Sequence, residues 1–284
     1  MNYQWYPGHM TKTVRQMKED IKLIDLVIEL VDARIPISSR NPDIDELAQN
    51  KSRIVLLNKA DLADERVNSQ WENYFSSKGI KVLKTDSRNK TSLKNLNDLV
   101  KEACKEKIER NKKRGIVNKP IRAMVVGIPN VGKSTFINSF AGKACAKTGN
   151  KPGVTKGKQW IRLNKDLELL DTPGILWPKF ESNTVGERLA IIGAINDDIL
   201  HADELAYALI EFLRINYPAT LTERYGIVIE EDTPSYKILE DIAVKRNCLI
   251  KGGEPDIGRM SKLIMEEYRS GKLGRISLEG PKEI

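Results

Sequence analysis

The feature that most constrains this chain is a short apolar run, Ile121–Val126, that passes without interruption into Gly127-x4-Gly132-Lys133-Ser134. The run reads as a buried strand, and Thr135-Phe136-Ile137 continues as a helix. This is the strand, glycine-rich loop and helix context of a phosphate-binding P-loop. Successive backbone N–H groups, here from Asn130 through Thr135, converge at a helix N-terminus whose partial positive charge favours phosphate oxygens. Lys133 reaches the β- and γ-phosphates of a nucleotide, and the Ser134 hydroxyl suits Mg2+. Nucleotide-binding domains of this kind usually begin with that strand, yet about 120 residues precede it here.

Those residues alternate between strand and helix patterns. Met10, Val14, Met17 and Ile21 recur at helical spacing over residues 10–22, with a basic outer face. Ile24–Val31 reads as a central strand ending at Asp32-Ala33-Arg34, and Ile54–Leu57 as the next, ending at Asn58-Lys59-Ala60-Asp61. Helices are expected near Asp43–Gln49 and Asp64–Ser77, a short strand at Val82-Leu83, and one long helix over 91–114. After the P-loop helix comes a polar, glycine-rich segment, then a hairpin of Gln159–Leu163 with Leu167–Leu170. From Glu187 onward the periodicity is helical throughout. Strands alternating with helices imply right-handed βαβ units and a parallel sheet covered on both faces. The switch to helices alone places a boundary near residue 180, giving units 1–180 and 181–284.

Composition narrows the class. No apolar stretch approaches the ~20 residues of a membrane span, and the N-terminus lacks the basic and apolar regions of a signal peptide. Cys104, Cys145 and Cys248 are odd in number and lack metal-ligand spacing, which favours a reducing, cytoplasmic setting. The net charge of +8 is uneven: residues 1–180 carry +14 and residues 181–284 carry −6. A basic face of that size suits either a polyanionic partner or simple solvation.

Asn58-Lys59-x-Asp61 at a strand end is the guanine-reading element of P-loop GTPases. The Asp61 carboxylate accepts from guanine N1–H and the N2 amino group together, and adenine offers neither donor in that geometry. Thr85-Asp86-Ser87 sits where such a protein places the loop that backs the base. Asp171-Thr172-Pro173-Gly174 follows a strand and fits a Walker-B-like role: Asp171 holds Mg2+ through water, and the Gly174 N–H meets the γ-phosphate. Thr155 is the candidate second hydroxyl ligand to Mg2+. Each motif alone is also an ordinary turn, but together they describe one nucleotide site.

Their order is the informative part. A typical GTPase runs from the P-loop to the base-backing loop, whereas here the base-reading elements come first. The sequence resembles a circularly permuted GTPase, and in particular the ribosome biogenesis GTPase A family of bacterial large-subunit assembly factors. Carrying the resemblance are Trp5-Tyr6-Pro7-Gly8-His9-Met10, Asp32-Ala33-Arg34, Gly127-x-Pro129-Asn130-Val131-Gly132-Lys133-Ser134, Pro152-Gly153-x-Thr155, Asp171-Thr172-Pro173-Gly174-Ile175, Lys251-Gly252-Gly253 and Arg269-x-Gly271-Lys272-x-Gly274.

The resemblance implies an α/β fold: a circularly permuted P-loop GTPase domain with a mostly parallel six-stranded sheet, followed by a smaller all-helical domain. It implies GTP and GDP as ligands, Mg2+ as cofactor, and the large ribosomal subunit as partner of a cytoplasmic monomer with no membrane contact. Ile175 stands where many GTPases have a water-positioning glutamine, so His9 becomes the candidate catalytic group, aided by an imidazole pKa near ~6.5. Asn130 matches the residue that binds K+ in potassium-activated GTPases. Lys245, Arg246, Lys251, Arg259, Lys262, Arg269, Lys272 and Arg275 are the candidate RNA-docking surface, against the alternative of ordinary solvated charges. The permutation also leads the segment after Gly174 directly into the helical unit, so switch motion there is expected to be passed on. Two further readings compete: a small-subunit permuted GTPase, whose zinc module two histidines and three cysteines do not readily supply, and an RNA-binding protein that uses GTP only as a structural ligand.

Overall fold

The computed structural model describes residues 9–116, 119–142, 159–172, 174, 176–177, 180, 182–195 and 201–283. Six strands, β1 (Leu26–Asp32), β2 (Ser52–Asn58), β3 (Lys81–Thr85), β4 (Ile121–Val126), β5 (Gln159–Arg162) and β6 (Leu167–Asp171), form one sheet in the order β3-β2-β1-β4-β6-β5. All pairings are parallel except the β5–β6 hairpin at the edge. Every residue of β1 is buried, as its near-continuous apolar sequence requires of a strand covered on both faces. Register aligns Asp32 with Asn58, Asn58 with Thr85, and Val125 with Asp171. The carboxyl ends of five parallel strands therefore meet along one rim, where ligands of open α/β sheets bind.

Helices α1 (His9–Asp20), α2 (Asp43–Leu47), α3 (Glu65–Ser77), α4 (Leu96–Ala103), α5 (Lys105–Lys113) and α6 (Lys133–Ala141) accompany the sheet. The Asp64 side chain caps α3 by accepting from the Arg66 N–H, and Trp71 and Phe75, four residues apart, bury the same face. Met17 and Ile21 pack with Val27, Ile44, Met124 and Leu170 on the same face of the sheet as Trp71 and Phe75, while Leu26, Ile28 and Leu30 cluster on the opposite face with Leu96, Val100 and Phe136. The long helix expected over 91–114 is interrupted. The Ala103 carbonyl accepts instead from the Ser52 hydroxyl at 2.7 Å, and the buried Cys104 separates α4 from α5.

Beyond β6 the chain is helical among the described residues: α7 (Asn183–Ile191), α8 (Ala202–Asn216), α9 (Ala219–Tyr225), α10 (Ser235–Lys245) and α11 (Ile257–Arg269). Short α9, which buries only Leu221 and Tyr225, carries too little periodicity to be read from sequence. Glu267 holds the helices together from inside, accepting from Arg224, Arg246 and Tyr225. A single apolar cluster includes Leu30, Val131 and Phe136 of the nucleotide half and Leu189, Leu209, Ile264 and Leu278 of the helical part.

Candidate nucleotide-binding site

The P-loop joins β4 to α6 with Asn130 in the left-handed region at φ 57°. Gly132, at φ 100°, precedes α6, and a Cβ there would lie 2.5 Å from Asn58 Nδ2. Only glycine lets the loop approach the base-reading strand so closely. Lys133 is 7% exposed, its Nζ donating to the carbonyls of Gly127 at 3.0 Å and Ile128 at 2.8 Å. Burial pushes its ammonium down to about 8, against the opposing pull of the Asp171 carboxylate. An ammonium desolvated this way has much to gain from a phosphate. Ser134 and Thr135 follow, half-buried, in the first turn of α6.

Asp171 ends β6, buried beside β4, and the Thr172 hydroxyl donates to the Val125 carbonyl at 2.7 Å, fixing the start of the turn. At Gly174 a Cβ would stand 2.8 Å from the Pro129 backbone and 2.9 Å from Lys133 Nζ. The Asp-x-x-Gly turn thus lies directly against the P-loop. Asn130 Nδ2 donates to the Gly193 carbonyl at 2.7 Å, linking the P-loop to the turn after α7.

The base-reading side is built around Asn58, which is 1% exposed. Its Nδ2 donates to the Val131 carbonyl at 2.7 Å, while its Oδ1 accepts from the Ser87 N–H, the Ser87 hydroxyl and the Thr85 hydroxyl. One amide therefore ties β2, the P-loop and the Thr85-Asp86-Ser87 loop into a single frame. Arg88 bridges two carboxylates, donating to Asp61 Oδ2 at 2.5 Å and to Asp86 Oδ1 at 3.1 Å. Asp61 Oδ1 is buried with no hydrogen-bond partner among the described residues. A buried, unmatched carboxylate oxygen fits the amide-like donors of a guanine edge.

Beneath this loop lies an ion cluster that the sequence marked only as a family motif. Asp32 is fully buried and takes two parallel bonds from Arg34, each 2.8 Å, with Lys59 Nζ at 3.0 Å. The two cations hold the Asp32 carboxyl well below the usual carboxylate range despite its burial. Lys59 sits at φ 59°, and its ammonium is pushed down by burial and by Arg34 while Asp32 supports it. Arg34 also lies over the Tyr268 ring of α11, 5.0 Å from its centroid.

The expected residues are thus gathered in part. Asn58, Lys59, Asp61, Thr85, Asp86, Ser87, Asn130, Val131, Gly132, Lys133, Ser134, Thr135, Asp171 and Gly174 share the rim of the sheet. Thr155 lies outside the described residues, as do Pro173, Ile175 and the His9 side chain; only the His9 backbone, the first residue of α1, is described. Among the basic residues of the helical part, Lys245, Lys251, Arg259, Lys262 and Lys272 are exposed. Arg246, also exposed, bonds Glu267, and half-buried Arg269 donates to the Ala190 and Ile191 carbonyls. Arg275 donates to Ala60, Ala63 and Glu65. Arg88, and the pairing of Asp32 with Arg34 and Lys59, are what sequence reasoning did not assign to the site. A carboxylate closing a buried strand and followed by an arginine was the available signal for the second.

Residues 122–224 match the family model described as 50S ribosome-binding GTPase. The whole chain is 49% identical over 285 residues to the Ribosome biogenesis GTPase A of Bacillus cereus, covering 100% of this chain and 96% of that one. Identity to the protein of the same name from Thermotoga maritima is 36% over 280 residues, covering 99% and 95% of the two chains. A GDP-bound structure of TM YlqF superposes with a TM-score of 0.68 at 30% identity, covering 94% of this chain and 100% of that one. A GNP-bound YlqF from T. maritima gives a TM-score of 0.65 at 30% identity, covering 96% and 100%. With its nucleotide motifs in permuted order along β1 to β6 and this likeness along its full length, the chain belongs to the ribosome biogenesis GTPase A family.

Proposed function

We propose that the chain binds and hydrolyses GTP with Mg2+ and serves as an assembly factor at a late step of large ribosomal subunit maturation. The observation that carries the nucleotide reading is Asn58, which holds the P-loop and the base-backing loop around one unmatched oxygen of Asp61. In this reading Lys133 meets the β- and γ-phosphates, Ser134, Thr155 and Asp171 hold Mg2+, and the Gly174 N–H meets the γ-phosphate. Residues 1–180 then act as the nucleotide domain and 181–284 as the helical domain of a cytoplasmic monomer. Asp61→Asn is the direct test of base reading: it replaces an acceptor by a donor, and preference shifts from guanosine to xanthosine nucleotides. Unchanged preference would overturn the assignment.

The ribosomal part is supported by the names of the relatives and by the exposed Lys245, Lys251, Arg259, Lys262 and Lys272. Phosphate contacts of these groups to rRNA would make binding fall steeply with salt. Cosedimentation with separated subunits tests it: binding to large subunits with a non-hydrolysable GTP analogue, and weaker binding with GDP. Binding to small subunits alone, or GTP turnover that purified large subunits leave unchanged, would count against it.

For hydrolysis, His9 aligns the attacking water and a K+ ion at Asn130 stabilises transition-state charge as an arginine finger does. Expected are a fall of about tenfold or more in stimulated turnover for His9→Ala at nearly unchanged nucleotide affinity, and faster hydrolysis in K+ than in Na+. Equal rates in the two salts would remove the cation from the mechanism.

A further inference from the structure

After α11 the chain does not leave the molecule but turns back across the base-reading loop. Arg275 Nε donates to the Ala63 carbonyl at 2.8 Å, and its Nη2 donates to the Ala60 carbonyl at 3.0 Å and to Glu65 at 2.7 Å. The Ile276 N–H donates to the Leu62 carbonyl at 3.0 Å. Ser277 Oγ accepts from the Asp64 N–H at 3.1 Å. The Leu278 N–H donates to the Arg34 carbonyl at 2.9 Å. Glu279 accepts from the Ile37 and Ser38 N–H groups, the Ser38 hydroxyl and Arg188 of α7, and its own carbonyl accepts from Trp71 Nε1.

Ile276, Ser277, Leu278 and Glu279 are each at most 5% exposed. Together with Arg275 they bond backbone groups of Ala60, Leu62, Ala63 and Asp64, on either side of Asp61, and of Arg34, Ile37 and Ser38 in the loop after β1. The strip thereby satisfies the outward-facing carbonyls of a loop that a strand end alone would leave loosely held. Reading a base edge requires its acceptors within about half an ångström of their productive place. Side chains bonded only to solvent do not supply that.

We propose that Arg275–Glu279 is the positioning element of the guanine-reading loop, so that selection of guanine in this chain depends on that strip. The proposal rests on the reading of Asn58-Lys59-x-Asp61 as the base-reading motif. It also means that the helical part is joined to the base side of the nucleotide, through Glu279 and Arg188 on α7, and not only to the segment after Gly174. A displacement of that part on a partner surface would loosen Asp61 and favour nucleotide release.

The experiment compares dissociation constants of GDP and of inosine diphosphate, which lacks the 2-amino donor to Asp61. The full-length wild type is compared with Arg275→Ala, Glu279→Gln and, as control, Asp61→Asn. Arg275→Ala is expected to weaken GDP by about tenfold and inosine diphosphate by much less, shrinking the preference between them. Glu279→Gln, which keeps shape and one acceptor, gives a smaller change in the same direction and carries the test if the alanine variant does not fold. A purely structural strap would weaken both nucleotides equally, in step with a lower unfolding temperature, and that result overturns the proposal. If Asp61→Asn leaves the preference intact, the base-reading assignment has failed. If Asp61→Asn abolishes the preference while both strap variants keep it, only the strap proposal has failed.

Discussion

Asn58 Nδ2 donates to the Val131 carbonyl at 2.7 Å, across 73 positions of sequence, and this bond joins the base-reading strand to the phosphate loop. The strands leading into the two motifs, β2 and β4, are separated by β1 in the sheet, and the P-loop crosses the end of β1 to bring the Val131 carbonyl to this one amide. Because Asn58 Oδ1 also accepts from Ser87 and Thr85, its removal leaves several buried groups unmatched. Asn58→Ala is expected to lower stability by about 1–3 kcal/mol and to weaken nucleotide binding. Urea unfolding and fluorescent GDP titration measure the two effects; unchanged values in both would refute the bracing role.

Gly174 faces the P-loop with no room for a methyl group. In Gly174→Ala the added carbon would meet the Pro129 backbone at 2.8 Å, which cannot yield as a flexible side chain would. The turn must shift, and its N–H leaves the place proposed for its contact with a γ-phosphate. Single-turnover GTP hydrolysis is expected to fall by about tenfold or more, with GDP affinity far less affected. An unchanged hydrolysis rate would contradict this geometry.

Lys133 gives the site a pH dependence whose sign follows from its burial. Its pKa in the folded chain is pushed down to about 8, so the folded state sheds a proton that an unfolded lysine keeps. Burying the ammonium costs stability below about 8, and that cost is relieved as pH rises from there toward the ordinary lysine value of 10.5. Phosphate favours the charged form, so nucleotide affinity falls as pH rises through about 8. Calorimetry in buffers of different ionisation enthalpy should detect proton uptake on binding above that pH, and Lys133→Met should abolish it.

The buried cluster of Asp32, Arg34 and Lys59 predicts an asymmetry between its partners. Arg34→Met leaves Asp32 still paired to Lys59, whereas Asp32→Asn leaves two cations beside each other without a counter-charge. Breaking a buried pair from one side costs about 3–5 kcal/mol, and the asparagine variant should lie at the upper end. Since the Asp32 carboxyl is held well below its usual range, its contribution is present above the ordinary carboxylate pKa and lost as pH falls below it. Chemical denaturation at neutral and acidic pH measures both.

Much of this was legible in the sequence because it is local. The P-loop, the two Asp-containing turns and the strand pattern depend on glycine spacing, apolar runs and strand-end polar residues, and each forms within a few residues of itself. The permuted order was legible for the same reason, since order is a property of the chain. The break at Cys104 was not, because it depends on the Ser52 hydroxyl reaching the Ala103 carbonyl from 51 positions away. Nor could spacing separate Lys245, Lys251, Arg259, Lys262 and Lys272, which face solvent, from Arg246, Arg269 and Arg275, whose guanidinium groups hydrogen-bond to other groups of the protein, those of Arg246 and Arg275 while still exposed. Charge is written in the sequence, but its partner is not.

The sequence by itself determined that this chain is a permuted α/β nucleotide-binding protein followed by helices, because those patterns arise from local backbone chemistry. Tertiary structure alone decided that Asn58 braces the P-loop, that Lys59 joins the Asp32–Arg34 pair, and that Arg275–Glu279 returns to the loop of residues 60–64. Each of these is a contact between distant segments, and only the folded chain brings buried donors and acceptors within bonding distance of partners they cannot reach along the sequence.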